Sequence, residues 1–146
     1  MDRDDWCILG RLLTEVTVRR RLMRQLQTQI PDALAIRYED RYTRGIPDLS
    51  ISWRGQTSFW EIKYADPHCL SSKVQHYLCM ELDTHGFHCR YIIFQRGIAR
   101  PRNSRPRQIR VVKPTDFDHW AHLGLVVSDG RFDHAALVDH IEQVHQ

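Results

Sequence analysis

Two segments of strand-like sequence joined by a tight turn constrain the fold more than any other part of the chain. Residues 49–53 alternate apolar and polar side chains, residues 54–56 read Arg-Gly-Gln, and residues 57–64 resume a strand-like run. This pattern predicts a β-hairpin. Because side chains two apart on a strand share a face, Glu61 and Lys63 are expected to lie together, with Trp60 and Ile62 on the other face.

A third charged residue precedes the hairpin. Asp48 stands at the mouth of the first strand, where it can meet Glu61 and Lys63. A hard divalent cation held by one or two carboxylates neutralises phosphate charge and acidifies bound water, which is what phosphodiester hydrolysis requires. We therefore interpret Asp48 and Glu61 as ligands of Mg²⁺ or Mn²⁺. Lys63 is the residue that orients the attacking water or balances charge in the transition state.

These residues also carry a family resemblance. Pro47-Asp48, twelve intervening residues and then Glu61-Ile62-Lys63 resemble the signature of the PD-(D/E)xK nuclease superfamily. The chain is most similar to its VRR-NUC group, which is related to archaeal-type Holliday junction resolvases, at Gly45-Ile46-Pro47-Asp48-Leu49, Glu61-Ile62-Lys63, Leu70-Ser71 and Gln75. The resemblance spans roughly residues 8 to 95. The plainer alternative is a surface hairpin that carries ordinary solvated charges.

The resemblance implies a fold and further site residues. It implies an α/β protein with a restriction-endonuclease-like core, a mixed central β-sheet flanked by helices. It also implies that the backbone carbonyl of Ile62 is a third metal ligand and that Gln75 is an accessory catalytic residue. The plain alternative for Gln75 is an exposed polar residue of a helix.

The first predicted helix runs from Asp4 or Asp5 to about Gln29. Its apolar residues recur at helical spacing: Ile8, Leu9, Leu12, Leu13, Val16, Leu22, Met23 and Leu26. Glu15 projects inside this apolar stripe, and the resembled family carries a glutamate here that reaches the metal site. Two alternatives stay open: Glu15 forms an ion pair with Arg19 one turn along, or the extra acid comes from Glu39 or Asp40.

A helix and a buried strand should follow the hairpin. Asp66-Pro67 ends the strand, and a second helix is expected from Leu70-Ser71-Ser72 to about His85, with Ser71 or Ser72 as N-cap. Residues 91–94, Tyr-Ile-Ile-Phe, form an apolar run typical of a strand covered on both faces. Because a helix separates them, this strand is expected to lie parallel to the strand of Glu61.

The segment from residue 96 to residue 113 is basic and contains no acidic residue. Its middle is expected to be a loop and residues 108–112 a returning strand. Arginines in such a loop are suited to hold phosphate with paired donors. The predicted nucleic-acid contacts are Arg96, Arg100, Arg102, Arg105, Arg107, Arg110, Lys73 and Arg19. Arg20, Arg21 and Arg24 join Arg19 in a second basic cluster that mostly faces solvent, and the alternative is a charge run that only aids solubility.

The last third of the chain is expected to support the core without chemistry of its own. It predicts a short helix at 114–120, a short strand or turn at 123–127, and an amphipathic helix at 133–145 with Ala136, Leu137, Ile141 and Val144 inward. We predict one domain over residues 1–146, with the nuclease core at about 8–113. The segment from 114 to 146 could pack on that core, form an oligomer interface or meet a protein partner.

Composition fits a compact intracellular protein. The chain has 146 residues, 42% of them hydrophobic, and a formal charge of +3. Its four cysteines form no CxxC pair, and neither a signal segment nor a long apolar span is evident, so we expect a cytoplasmic location (beside the nucleoid, or in the host if viral) and no membrane contact. His68-Cys69 and His88-Cys89 match no common zinc module. Five histidines are expected at the surface: His119, His122, His134, His140 and His145.

Together these features predict a divalent-metal-dependent DNA endonuclease. By resemblance, its substrate is duplex or branched DNA such as a junction, and a homodimer would present two sites to two strands. One alternative is a catalytically silent protein of the same fold that binds DNA or a protein partner, for example as an inhibitor of a nuclease complex. Another is an exonuclease, which needs free ends.

Overall fold

A computed structural model describes residues 3–38, 45–65, 71–96 and 107–146, with side chains from residue 15 onward. In chain order the elements are α1 (Arg3–Gln29), β1 (Leu34–Arg37), β2 (Leu49–Trp53), β3 (Gln56–Ala65), α2 (Lys73–Thr84), β4 (His88–Arg96), β5 (Arg107–Val112), a 3-10 helix (Pro114–His119), α3 (Trp120–Leu123), β6 (Leu125–Asp129) and α4 (His134–Val144). The predicted helices and strands are therefore present, with ends shifted by a few residues.

The six strands form one mixed sheet in the order β1-β2-β3-β4-β5-β6. Only β3 and β4 are parallel, and every other neighbouring pair is antiparallel. Helix α2 connects the two parallel strands. Such a crossover is needed because the last residue of β3 and the first residue of β4 lie at opposite ends of the sheet. The predicted α/β class, with a mixed sheet flanked by helices, is confirmed.

The hairpin of β2 and β3 closes through a two-residue turn at Arg54 and Gly55. Their φ angles are 53° and 75°, and Trp53 pairs with Gln56 across the turn. Two consecutive positive φ angles are typical of a type I′ turn, whose twist matches that of the flanking strands. The turn is thus one residue shorter than the predicted Arg-Gly-Gln, because Gln56 already belongs to β3.

Two apolar layers cover the sheet. On one face, α1 and α4 bury the larger layer: Val18, Leu22, Leu26, Ile30, Leu49, Ile51, Trp60, Ile62, Tyr64, Ile92, Phe94, Ile109, Val111, Leu137, Val138 and Ile141. On the other face, α2 and the 3-10 helix cover a smaller one: Ala65, Cys79, Cys89, Tyr91, Ile93, Val112 and Phe117. Alternate residues of β3 and β4 enter different layers, which confirms the predicted two-residue period.

The residues from 114 to 146 pack on this core, the first of the three predicted alternatives. Strand β6 is the sixth strand of the sheet, and α4 contributes Leu137, Val138 and Ile141 to the larger layer. Among the described residues, no helix combines the length and the apolar character that a membrane crossing requires.

Three details of the predicted burial are wrong. Val16 is 41% exposed, and Val18 is the buried residue of that turn of α1. In α4, Val138 is buried, whereas Ala136 and Val144 are only half-buried at the margins of the stripe. His145 was expected at the surface but is buried: its Nε2 lies 2.7 Å from Ser58 Oγ and its Nδ1 lies 3.1 Å from the Trp53 carbonyl.

Candidate active site

Asp48 and Glu61 face each other at the open end of the hairpin. The pairing of β2 with β3 ends at Leu49 opposite Trp60, so Asp48 lies just before β2 beside the next residues of β3. The carbonyl of Asp48 accepts a hydrogen bond of 2.9 Å from Tyr38 N–H. One carboxylate oxygen of Asp48, Oδ2, accepts a hydrogen bond of 2.8 Å from the backbone N–H of Ile62. The two acidic side chains are therefore neighbours, as the sequence predicts.

Gly45 fixes the path by which the chain enters this site. Its φ angle is +89°, which favours glycine, and a Cβ atom there would lie 2.6 Å from Val74 Cγ1 and 3.0 Å from the Val74 carbonyl oxygen. The backbone before Asp48 thus passes directly against the first turn of α2. This contact sets the distance between the carboxylate of Asp48 and the side chains that α2 presents.

Helix α2 begins with a capping box that also presents Gln75 to the site. Ser72 Oγ accepts a hydrogen bond of 3.1 Å from Gln75 N–H, and the Gln75 amide reaches back to the N–H of Ser72. The same amide donates from Nε2 to Glu61 Oε1 at 3.2 Å and accepts from Lys63 Nζ at 3.0 Å. Gln75 therefore holds both charged side chains of β3.

The side chains of Glu61 and Lys63 lie next to each other and are mostly buried. Lys63 Nζ lies 3.6 Å from Glu61 Oε1, and their side chains are 13% and 4% exposed respectively. Burial and, next, the negative charge of Asp48 raise the pKa of Glu61 to about 8, against the opposing effects of Lys63 and Arg19. Near neutral pH this raised pKa favours the protonated carboxyl of Glu61 beside the carboxylate of Asp48.

Glu15 reaches the site through Arg19. Arg19 Nη2 lies 3.6 Å from Glu15 Oε2 and 3.5 Å from Asp48 Oδ1. The ion pair of Glu15 with Arg19 is therefore formed, and Glu15 is 27% exposed rather than enclosed by the apolar stripe. Arg19 turns into the site instead of facing solvent, whereas Arg20 and its neighbours Arg21 and Arg24 are exposed as expected.

The described arginines beyond β4 do not share one surface. Arg96 and Arg107 pair in register on the face covered by α1 and α4, where the Arg107 guanidinium lies 5.8 Å from the centre of the Phe132 ring. Arg110 lies on the α2 face and donates to Gln95, Gln108 and the carbonyl of Gly124. Lys73 is exposed at the first residue of α2. Five predicted candidates lie outside the described residues: Arg100, Arg102, Arg105, Glu39 and Asp40.

A supporting residue beneath the site was missed by sequence reasoning. Tyr91 pairs with Glu61 in the sheet, and its buried hydroxyl contacts Ser71 Oγ at 3.0 Å and His76 Nδ1 at 3.3 Å. These contacts tie the start of α2 to β4. The apolar run 91–94 predicts that Tyr91 is buried. The one signal of a polar partner is its hydroxyl, which is usually hydrogen-bonded when buried.

The donor set fits Mg²⁺ or Mn²⁺. In the described ranges no group of three or more His, Cys, Asp or Glu side chains is arranged to hold an ion. Mg²⁺, however, keeps several waters and commonly binds through one or two carboxylates. Asp48 and Glu61 supply such a pair. The charge of Asp48 contributes to the raised pKa of Glu61, and a bound cation would relieve this repulsion.

Neither a protein-family model nor a curated protein sequence matches the chain. The resemblance to PD-(D/E)xK nucleases therefore remains a prediction.

Proposed function

We propose that the protein is a divalent-metal-dependent DNA endonuclease. The observation that carries this proposal is the convergence of two carboxylates, a lysine and an amide at one point, with Gln75 within 3.2 Å of both Glu61 and Lys63. Two carboxylates held together away from water cost folding free energy. Such a cluster is therefore more typical of a binding or catalytic site than of a structural core. Phosphodiester hydrolysis uses each of these groups.

Each residue has a distinct part in the proposed reaction. Asp48 and deprotonated Glu61 hold the cation, which stabilises charge on the phosphate and acidifies water. The N–H of Ile62 already faces Asp48, and in an extended strand the carbonyl of the same residue projects to the same side, so it is suited to be a third ligand. Lys63, held by Gln75, orients the water that attacks phosphorus while the opposite P–O bond breaks.

The substrate part of the proposal follows from the family resemblance. It favours duplex or branched DNA, including four-way junctions, and a homodimer that brings one site to each of two strands. The proposed location, the cytoplasm, follows instead from the four cysteines without a CxxC pair. The competing proposal is a silent nuclease-fold protein that binds DNA or a protein partner, but such a protein has no use for Lys63 and Gln75 held against two carboxylates.

A substrate panel tests the proposal. Supercoiled, linear, single-stranded and four-way-junction DNA are incubated with the protein in Mg²⁺, Mn²⁺ or chelator. We expect metal-dependent cleavage that Asp48→Ala and Lys63→Ala each reduce by at least about a hundredfold. Asp118→Ala, which alters an exposed acid of the 3-10 helix, is the matched control and should cleave like the wild type.

Other outcomes identify the alternatives. Metal-independent binding without product in every arm would establish the silent binder and contradict the nuclease. Degradation of linear DNA with closed circles left intact would establish an exonuclease. Cleavage of single-stranded or linear duplex DNA with no preference for junctions would contradict structure selectivity while leaving the hydrolase in place.

A further inference from the structure

Arg19 occupies a position in the site that differs from that of its neighbours on α1. Val18 and Leu22 anchor this part of the helix in the larger apolar layer, and Arg19 extends from there over the open end of the hairpin. Its side chain is 27% exposed, and its Nη2 atom lies between Asp48 Oδ1 and Glu15 Oε2. Arg20, the next residue, is exposed. Of the α1 arginines whose side chains the structure describes, Arg19 is therefore the one that enters the site.

The contacts of Asp48 show what this arginine does to a metal site. Oδ2 of Asp48 accepts from Ile62 N–H, and Oδ1 faces the Arg19 guanidinium. Both oxygens thus already have positive or hydrogen-bonding partners. Because arginine keeps its charge at any pH that proteins tolerate, the guanidinium repels a divalent cation that approaches Oδ1. Full use of Asp48 as a ligand requires that Arg19 move away from it.

A second feature of the Arg19 guanidinium indicates which kind of group it would move to. Its Nε atom is buried and, among the residues that the structure describes, has no hydrogen-bond acceptor. A buried donor without an acceptor costs free energy, so the observed arrangement leaves Arg19 with an unused interaction. A phosphate oxygen is a strong acceptor for the paired donors of a guanidinium.

We propose that Arg19 is an exchangeable counter-cation that occupies the carboxylate site until substrate arrives. In the free protein it neutralises Asp48 and Glu15 and weakens metal binding; when DNA binds, it turns to a backbone phosphate and releases Asp48 to the metal. This inference rests on the proposed nuclease function. DNA and metal should then each strengthen the binding of the other, because both favour the position in which Arg19 has left Asp48.

Calorimetric titration with Mn²⁺ in the absence of DNA tests the first half. Arg19→Gln should bind Mn²⁺ at least about tenfold more tightly than the wild type, because a repelling charge is removed. Arg20→Gln, the matched control, should not differ. Arg19→Lys keeps the charge and should stay within about threefold of the wild type. If Arg19→Gln binds Mn²⁺ no more tightly than Arg20→Gln, or more weakly, the proposal is wrong.

Duplex binding tests the second half, in a Lys63→Ala background that blocks cleavage. With Mn²⁺ present, Arg19→Gln should lower DNA affinity by about tenfold relative to Arg20→Gln, and equal affinities would overturn the transfer to phosphate.

Asp48→Ala separates this inference from the proposed function. If Asp48→Ala retains wild-type Mn²⁺ affinity, the metal site itself is wrong and the inference fails with it. If Asp48→Ala loses Mn²⁺ and Arg19→Gln does not tighten it, only the inference fails.

Discussion

At the scale of single residues, Gln75 connects the two parts of the site. Its backbone N–H and side chain close the capping box with Ser72, and its amide contacts Glu61 and Lys63. One residue therefore serves helix initiation and the positioning of charged groups. These two roles can be separated, because Ser72 is required for the first role and does not contact Glu61 or Lys63 in the hydrogen bonds described.

Gln75→Ala should reduce DNA cleavage by about ten- to a hundredfold, because Lys63 and Glu61 lose their common partner. It should lower the free energy of unfolding by only about 1 kcal/mol, the usual cost of a lost cap. Ser72→Ala, the matched control, should cost similar stability and leave cleavage near the wild-type rate. Steady-state cleavage and denaturant unfolding measure the two effects, and an equal loss of activity in both variants would contradict the positioning role.

The sequence predicted the residues of β2 and β3 in the site because a two-residue period determines which side chains share a face. It did not identify Arg19 as the arginine that enters the site, although four arginines lie within one stretch of α1. That choice depends on how α1 rotates and crosses the sheet, which is set by the packing of Val18 and Leu22. The buried state of His145 likewise depends on a partner, Ser58, distant in sequence.

At the scale of secondary-structure elements, the contact between the Asp48 entry segment and α2 determines the width of the site. Gly45 lies against Val74 so closely that any larger residue must push the two elements apart. The sequence contained the glycine and both elements. It does not predict the contact between Gly45 and α2. The two positions are about 30 residues apart, and periodicity relates only residues that are close in sequence.

Gly45→Ala should lower the free energy of unfolding by about 2 to 4 kcal/mol, since it adds a clash with Val74 to the strain of a positive φ. Gly86→Ala is the control: its φ is +87°, yet no atom lies within 4 Å of the added Cβ, so it should cost only about 1 kcal/mol. Chemical denaturation measures both. Equal losses would show that the close approach to α2 has no energetic role.

At the scale of the whole molecule, two groups of buried or half-buried ionisable residues lie along β3. Glu61, in the middle of the strand, belongs to the site, with a pKa raised to about 8 by burial and by Asp48. Near the start of the strand, burial and Arg90 lower the pKa of His88 to about 4, and burial also lowers the pKa values of His140 and His145. The two groups make stability depend on pH in opposite directions.

Without metal, the free energy of unfolding should pass through a maximum near pH 6.5. The folded protein binds fewer protons at the histidines than the unfolded chain does, so stability is lost as pH falls from about 6.5 to 4. It binds more protons at Glu61, so stability is present below about pH 4.5 and is lost as pH rises through 8. Between pH 6.5 and 8 the loss at Glu61 amounts to roughly 1 to 2 kcal/mol, and the last deprotonation of the histidines in the unfolded chain offsets part of it.

Glu61→Gln isolates that contribution. Its neutral amide cannot titrate, so denaturant unfolding in chelator should show no decline between pH 6.5 and 8, while the acidic decline from the histidines remains. The stability difference between the wild type and this variant should therefore shrink by roughly 1 to 2 kcal/mol across the interval. A difference that stays constant would contradict a protonated Glu61 in the metal-free site.

Mn²⁺ binding to the wild type, Asp48→Asn and Glu61→Gln shows whether Asp48 and Glu61 share one divalent cation. The titration is best done above pH 8, where Glu61 has lost its proton and ligands are free to bind metal. We expect one Mn²⁺ per wild-type chain and at least about a tenfold weaker affinity in each variant. Wild-type affinity in both variants would contradict the account.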